Sequence, residues 1–243
     1  MKVTILGSGN AFNSSGRGHA TYLLDDGAEG LLLLDAGATA LYRLQQEQVD
    51  LLNIHTILLT HFHGDHYGGL PFIWIELSMI RGRTEPLTIL GPAGVEAACR
   101  RLMECMYPGL QLRFELVFRE VKSQGERDGA FHVKPFAISH KAESTGYRIW
   151  LEGGRSFAFS GDSAFDEKLF ALMDGVDTAV IELSTVLQVV PPSSHVALEE
   201  VRAGRYRIRA RRVIWTHIYD KLAAMVRKEG LGETAHDGMV LEV

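Results

Sequence analysis

The 243-residue chain holds only two cysteines, Cys99 and Cys105. They stand six apart in one apparent helix, residues 94–106, and positions six apart do not share a face at 3.6 residues per turn. They read as core or half-exposed thiols rather than a metal pair or a disulfide, and a reducing, cytoplasmic compartment is expected. No apolar stretch is long enough to span a bilayer, and the short run at residues 1–6 does not suit a signal peptide. The chain also lacks a basic excess. With 25 Lys and Arg against 30 Asp and Glu, its net charge is −5, which gives no global attraction to nucleic acid or an anionic membrane. Nothing is low-complexity and no residue-level repeat is visible. One tempting motif lacks its last member. Gly7-Ser8-Gly9-Asn10 follows an apparent strand, but Phe12 stands where a dinucleotide fingerprint needs its third glycine.

What is present is ordinary for a globular protein: 46% hydrophobic and 23% charged residues, enough for a core without disulfide staples. One domain, 1–243, is expected, with pseudo-halves of about 1–121 and 130–243 joined by the polar segment 122–129. Apolar and β-branched runs predict strands near 2–6, 20–24, 31–35, 56–60, 87–90, 113–118, 131–138, 146–151, 156–160, 178–183 and 213–216. Helices are expected near 38–46, 70–80, 94–106, 165–173 and 196–209. This alternation predicts an α/β protein whose sheets are covered by helices.

His61-Phe62-His63-Gly64-Asp65-His66 is the most informative stretch. Imidazole and carboxylate are the donors that borderline transition metals prefer, zinc above all. Gly64 is expected to let the backbone turn sharply. The stretch follows the apolar run 56–60, so it sits at a strand end, where a site can be held rigidly. Burying four polar groups in six residues is costly unless they are paired or ligated.

The same grammar recurs. Apolar runs lead into His140, into Gly161-Asp162 and into His217. Each has an ordinary alternative: His140 a loop cap, Asp162 the cap of a helix starting near Phe165, His217 a packed residue. Together with His61, His63, Asp65 and His66 they make seven candidate ligands. One tetrahedral zinc takes four, so seven suit two ions with one carboxylate bridging. On an extended chain the adjacent Asp65 and His66 diverge. They are therefore expected to reach a different ion from His61 and His63. Paired metals sit about 3.5–4 Å apart and can hold a bridging hydroxide as nucleophile.

These residues resemble the metallo-β-lactamase superfamily, whose His-x-His-x-Asp-His motif is read here as His61 to His66, followed by His140, Gly161-Asp162 and His217. Leu6-Gly7-Ser8-Gly9 with Arg17, Gly91-Pro92, Gly146-Tyr147-Arg148 and Ser194-His195 followed by Glu199-Glu200 are similar to its ribonuclease Z and phosphodiesterase branch. The resemblance implies a four-layered αβ/βα sandwich, two mixed β-sheets flanked by helices. It implies His61, His63 and His140 on one ion, Asp65, His66 and His217 on the second, and Asp162 bridging. Asp65 and His195 are the implied catalytic residues, and His195 would contact the scissile phosphate and protonate the leaving oxygen. A histidine titrating near neutrality suits that role, whereas its plain alternative is a helix-start residue after Pro191-Pro192-Ser193-Ser194.

The expected activity is a dinuclear metal-dependent hydrolase of phosphodiesters, with two Zn²⁺ per chain and Mn²⁺ or Fe as alternative ions. Only about twenty residues separate His140 from Asp162, too few for the long tRNA-gripping arm of the branch. A small-molecule phosphodiester such as a cyclic nucleotide is therefore favoured over nucleic acid. Rivals are a lactone, thioester or lactam hydrolase on the same site, a tRNA 3′-end endonuclease, a di-iron redox protein and an idle binding domain. Arg202, Arg205, Arg207, Arg209, Arg211 and Arg212 read as a solvated face or, less simply, a phosphate patch. Residues 12–17, 72–83 and 185–194 are the loops expected to set substrate choice. The apolar runs 70–74 and 186–190 would suit a pocket wall or a homodimer face, and no membrane partner is expected.

Overall fold

A computed structural model of the chain describes residues 1–28, 30–188 and 194–243. Val189 and Val190 of the expected apolar wall, and Pro191-Pro192-Ser193 ahead of His195, lie outside the described residues.

The first sheet is built from β1 (Lys2–Gly7), β2 (Thr21–Asp25), β3 (Leu31–Leu34), β4 (Ile54–Leu58), β5 (Leu87–Gly91) and β6 (Leu116–Glu120). The second is built from β7 (Glu126–Asp128), β8 (Phe131–Ala137), β9 (Thr145–Leu151), β10 (Ser156–Phe159), β11 (Thr178–Glu182), β12 (Arg212–Thr216) and β13 (Glu233–Thr234). The last strand, β14 (Met239–Glu242), returns to pair with β1 at the edge of the first sheet. Among the described residues, seven α-helices connect them: α1 (Ala40–Gln46), α2 (Gly64–Tyr67), α3 (Leu70–Ile75), α4 (Val95–Met106), α5 (Glu167–Met173), α6 (Leu198–Gly204) and α7 (Asp220–Lys228).

Three buried apolar layers explain why these strands read as continuous apolar runs. Between the sheets, Val3, Ile5, Tyr22, Leu32 and Leu58 meet Tyr147, Phe157, Phe159, Val180 and Ile214. On the outer face of the first sheet, Leu33, Ile57 and Ile89 pack with Leu44, Trp74 and Cys99 of α1, α3 and α4. On the outer face of the second, Ala158, Ile181 and Trp215 pack with Phe170, Val201 and Leu222 of α5, α6 and α7. Successive residues of one strand therefore enter different cores: Ile214 faces the other sheet, while Val213 and Trp215 face helices. The order helix, sheet, sheet, helix is the expected four-layered sandwich.

Within each sheet the strands next to the site run parallel: β3 with β4 and β5, and β10 with β11 and β12. Their C-terminal ends meet along one edge. Two tyrosines tie the sheets together there. Tyr147 donates from β9 to the Leu59 carbonyl just past β4 (2.8 Å), and Tyr22 of β2 shares a 2.7 Å bond with Thr216 of β12.

Several expectations need correction. Residues 122–129 are not only a joint, since β7 forms there and pairs with β8. The expected helix 196–209 is α6 followed by one 3-10 turn, Arg205–Arg207. The helix expected at 70–80 closes in a π turn, Glu76–Ile80. Helix α7 was not anticipated, although Asp220 opens its first turn and Arg227 and Lys228 close its last, as the helix dipole favours. Cys99 is buried and Cys105 exposed on α4, both as thiols.

Tyr147→Phe removes the donor to a buried carbonyl while conserving shape. Its expected cost is about 1–3 kcal/mol, read as a lower urea midpoint with an unchanged slope.

Candidate metal centre

All seven expected ligands, and His195, gather where the parallel strands end. His61 and His63 follow β4, His140 follows β8, Asp162 follows β10 and His217 follows β12. The backbone is forced at three of these corners. Gly161 has φ +58°, and a Cβ there would lie 2.9 Å from the Thr60 Cβ, so the ends of β10 and β4 meet through a glycine. Asp35 and His217 adopt left-handed φ of +57° and +56° without being glycine. Such residues persist only where their surroundings over-determine them.

Two groups of four donors result. In one, His61, His63, His140 and Asp162 converge. His140 Nε2 is 3.1 Å from His63 Nδ1, and both His61 Nε2 and His140 Nε2 are 3.8 Å from Asp162 Oδ2. In the other, Asp65, His66, Asp162 and His217 converge. His66 Nε2 lies 3.5 Å from Asp65 Oδ2 and 3.1 Å from Asp162 Oδ1, while His217 Nε2 lies 3.1 Å and 3.5 Å from the same two oxygens. A tetrahedral zinc with N and O donors at about 2.0–2.1 Å has donor–donor edges of about 3.3 Å. The second group matches that spacing, and the first is slightly wider. Asp162 presents one oxygen to each.

The residues fit cations for a second reason. His61 Nε2, His66 Nε2 and Asp162 Oδ1 are buried without a hydrogen-bond partner among the described residues. Leaving such atoms unsatisfied is costly, and all three point into these groups.

The split between the groups does not arise as expected. Asp65 and His66 are not on extended chain. His63 is extended (φ −80°, ψ 146°), and α2 begins at Gly64, so Asp65 and His66 leave the first turn of a helix. Gly64 is not in the left-handed region, and a Cβ there would meet nothing within 4 Å, so a sharp turn is not what it provides.

Two carboxylates outside the expected set hold the imidazoles. Asp35, fully buried after β3, accepts from His66 Nδ1 at 2.7 Å and from the Thr60 hydroxyl at 2.8 Å, and Thr60 Oγ1 lies 3.1 Å from His61 Nδ1. Glu182 repeats this in the second sheet. It accepts from His195 Nδ1 at 2.8 Å and from the Ser184 hydroxyl at 2.6 Å, and Ser184 Oγ lies 2.8 Å from His217 Nδ1. Since each hydroxyl donates to its carboxylate, it accepts from the neighbouring imidazole. His140 Nδ1 donates to the Ser194 carbonyl at 2.8 Å. His61, His66, His140 and His217 therefore carry their proton on Nδ1 and turn Nε2 inward. Asp35 stands at the end of an apolar run, the signal that marked the other sites. Glu182 lay hidden inside a run read wholly as strand.

Burial pushes His61 down to about 2, and the neighbouring His66 adds to the fall. Burial also lowers His63 and His140, so these three are neutral donors at pH 7. For His66 and His217 burial acts the same way, but Asp162 outweighs it, helped by Asp35 and Asp65 respectively, and both are raised. Burial would raise Asp162, yet His217, His66 and His61 hold it well below the usual carboxylate range. A cation entering the second group must displace protons there, so its affinity falls with acidity.

Each arginine of the run already has a partner in the protein. Arg202 pairs with Glu229, Arg207 with Glu167, Arg209 with Asp174, Arg211 with Asp177 and Arg212 with Glu233, while Arg205 bonds carbonyls. A cavity of about 610 Å³ adjoins the centre through His140, with Ile138, Lys141, Phe165 and Lys168. Another of about 540 Å³ beside α4 shares no residue with the donor groups, so the chemistry and not the cavity size locates the site.

Fold and donor geometry together define a member of the metallo-β-lactamase superfamily, in its ribonuclease Z-like branch. The family described as anti-Pycsar protein Apyc1 matches residues 1–240, and the chain belongs to it. It is similar to the human zinc phosphodiesterase ELAC protein 1, 28% identical over 208 residues, covering 84% of this chain and 54% of that protein. It is similar to the ribonuclease Z of Staphylococcus carnosus, 30% identical over 152 residues, covering 61% of this chain and 49% of that one. The chain thus spans about half the length of these curated relatives. The metallo-β-lactamase fold protein YhfI of Bacillus subtilis shares the fold, with a TM-score of 0.80 at 22% identity, covering 100% and 99% of the two chains. No helix among the described residues is long and apolar enough to cross a membrane.

Asp35→Asn keeps the shape at His66 but removes the charge that fixes its tautomer. About a 10- to 100-fold loss of metal affinity is expected for the second group, measured by zinc titration against a competing chelator, with uptake by the first group less affected.

Proposed function

We propose that the chain is a metal-dependent phosphodiester hydrolase holding two zinc ions. His61, His63 and His140 would hold one ion, Asp65, His66 and His217 the other, and Asp162 would bridge. The observation carrying this reading is Asp162, which offers Oδ2 to one donor group and Oδ1 to the other. Bound there, two divalent ions would supply Lewis-acid charge for phosphoryl oxygens and acidify a water enough to attack at neutral pH.

The remaining work falls to the chain's own groups. The His195 ring is 4.8 Å from that of His140 and stacks 5.9 Å from that of His217, so it borders both donor groups. Burial lowers its pKa, but the Glu182 charge and hydrogen bond outweigh this, with help from Asp162, and raise it to about 9. His195 is thus protonated at neutral pH and can give its proton to the leaving oxygen. Cations bound beside Asp162 would oppose that rise, since a nearby positive charge disfavours the charged imidazole. Asp65, whose carboxyl is held down by the His217 hydrogen bond and by His66, stays ionised and able to accept a proton from the attacking water.

A compact diester such as a cyclic nucleotide is favoured over tRNA. Between His140 and Asp162 the chain forms only a short turn, β9 and β10, with no projecting arm. The arginines of the 202–212 run are engaged with carboxylates or carbonyls of the chain, and the cavity at His140 is of small-ligand size. The relatives' names, ribonuclease Z and zinc phosphodiesterase, support diester chemistry.

Zinc-loaded protein is expected to hydrolyse bis-p-nitrophenyl phosphate and a cyclic nucleotide, to lose both activities in EDTA and to regain them with zinc. Turnover of a lactone, thioester or ester panel without any diester turnover would overturn the reading.

His195→Ala should cost about 10²- to 10⁴-fold on a diester with an alkoxide leaving group, and far less on p-nitrophenolate. Because only protonated His195 can donate, kcat/KM on the alkoxide substrate should fall as pH rises through its pKa, between 6.5 and about 9. Glu182→Gln removes the charge that raises this pKa, so the alkaline limb should move to lower pH by about one unit.

A further inference from the structure

The cavity of about 540 Å³ beside α4 lies on the outer side of the first sheet, bounded by α3, α4 and the edge strand β6. Trp74 of α3 lines it and is fully buried. Met103, Leu112, Leu116 and Phe118 are half-buried: they pack against the helix-covered core and also line the cavity. The aromatic walls are held from behind. Arg83, whose guanidinium donates to the Leu52, Ile54, Glu85 and Pro86 carbonyls, sits 5.8 Å from the centre of the Phe114 ring. Phe72 meets Tyr107 edge-on at 6.4 Å, and Arg100 lies over Phe118 at 5.2 Å. Ser78 Oγ accepts from Arg113 N at 2.9 Å, which ties the lining segment 110–116 to the π turn after α3. A hollow bounded by fixed rings resists collapse, and its lining forfeits the dispersion contacts that an occupant would supply.

The deciding atom is Trp74 Nε1, which is buried with no acceptor among the described residues. Indole is a donor only, and a buried donor left without a partner is costly. A water is a poor answer, because a held water needs about two to four polar partners. Among the described residues, Trp74 Nε1 is the one buried and unsatisfied side-chain polar atom of this lining. The partner that suits it is an acceptor carried in on an apolar body. The rim decides the charge of that body. Glu104 and Glu115 are exposed there, and Arg100 is already paired with Glu96 at 2.8 Å, so an anion meets net repulsion.

We propose that this cavity is a second binding site, separate from the metal centre, for a small neutral molecule with a flat apolar body and one carbonyl-type acceptor for the Trp74 indole N–H. Its volume falls within the range of about 300–1,000 Å³ that small-molecule sites occupy, and aromatic walls with one placed polar group are how such sites are built. Because the rim is acidic and no donor-group residue lines it, the site does not depend on the hydrolase reading.

The test uses the metal-loaded full chain with ¹⁵N-labelled tryptophan. Its probes are acetophenone and ethylbenzene, similar in shape, with and without an acceptor. The chain has three tryptophans, and W74F assigns the Trp74 indole signal. Acetophenone should move that signal further downfield than ethylbenzene does, and should leave those of Trp150 and of Trp215, already bonded to the Leu231 carbonyl, in place. W74F should weaken acetophenone about fivefold without weakening ethylbenzene. L112W, which fills the space from another wall, should exclude both probes. Unmoved Trp150 and Trp215 signals report that each variant is folded, and the wild-type spectra decide even where a variant is unstable. A Trp74 signal that acetophenone does not move, or an equal loss of both probes in W74F, overturns the site. Binding that survives in L112W also overturns it, since the probes then sit elsewhere. The expected Trp74 movement in a protein that turns over no diester upholds the site and removes the hydrolase reading alone.

Discussion

The centre depends on two buried carboxylates that need not touch a metal. Asp35 in the first sheet and Glu182 in the second each hold one imidazole directly and a second through a hydroxyl, Thr60 or Ser184. A neutral imidazole has one donor and one acceptor nitrogen, so fixing the proton on Nδ1 fixes the lone pair on Nε2. His61, His66 and His217 are oriented by this means, and His195 is held at Nδ1 by the same Glu182. Without the carboxylates the rings could flip or exchange tautomers, and the donors would not converge.

The fold makes this arrangement sustainable. Parallel strands from two sheets end along one edge, and the sheets are cross-tied there by Tyr22, Tyr147 and the contact of Gly161 with Thr60. That rigidity lets Asp35 and His217 keep left-handed backbone that ordinary residues avoid. It also keeps polar atoms in a dry place. The orphaned nitrogen of His61 would be expensive anywhere its partner was not a cation, and His66 Nε2 and Asp162 Oδ1, 3.1 Å apart, are satisfied only by a second proton on His66 or by a cation.

Much of this was legible in the sequence because each central strand is buried on both faces. Such strands appear as short unbroken apolar runs, and a polar residue closing one stands out. His61, His140, Asp162 and His217 were found this way. Asp35 closes the run Leu31–Leu34 and obeys the same rule, but a single aspartate there had no histidine neighbours to mark it. Glu182 falls within β11 itself, where sequence shows only a charged residue at a strand end. Thr60 and Ser184 carry no signature at all, since a relay through a hydroxyl exists only once two strands are side by side. The separation of Asp65 and His66 from His61 and His63 was inferred from extended geometry and is produced instead by the start of α2. Side-chain direction at a motif depends on which backbone state begins there.

The charge balance follows from these same contacts. Asp35, Asp65, Asp162 and Glu182 are all buried within one edge of the molecule. Four carboxylates so close would repel strongly in a low dielectric. In the protein alone the raised pKa values of His66, His195 and His217 show how that repulsion is met: protons collect on the imidazoles. Under the proposed reading, divalent cations would offset the same carboxylates and release the protons from the donor histidines. His195 is held by Glu182 outside the two donor groups, so it would keep a proton once cations were bound. A residue that is still an acid once the histidines around it have become ligands is the one suited to protonating a departing oxygen, and its carboxylate partner is what separates it from the other imidazoles.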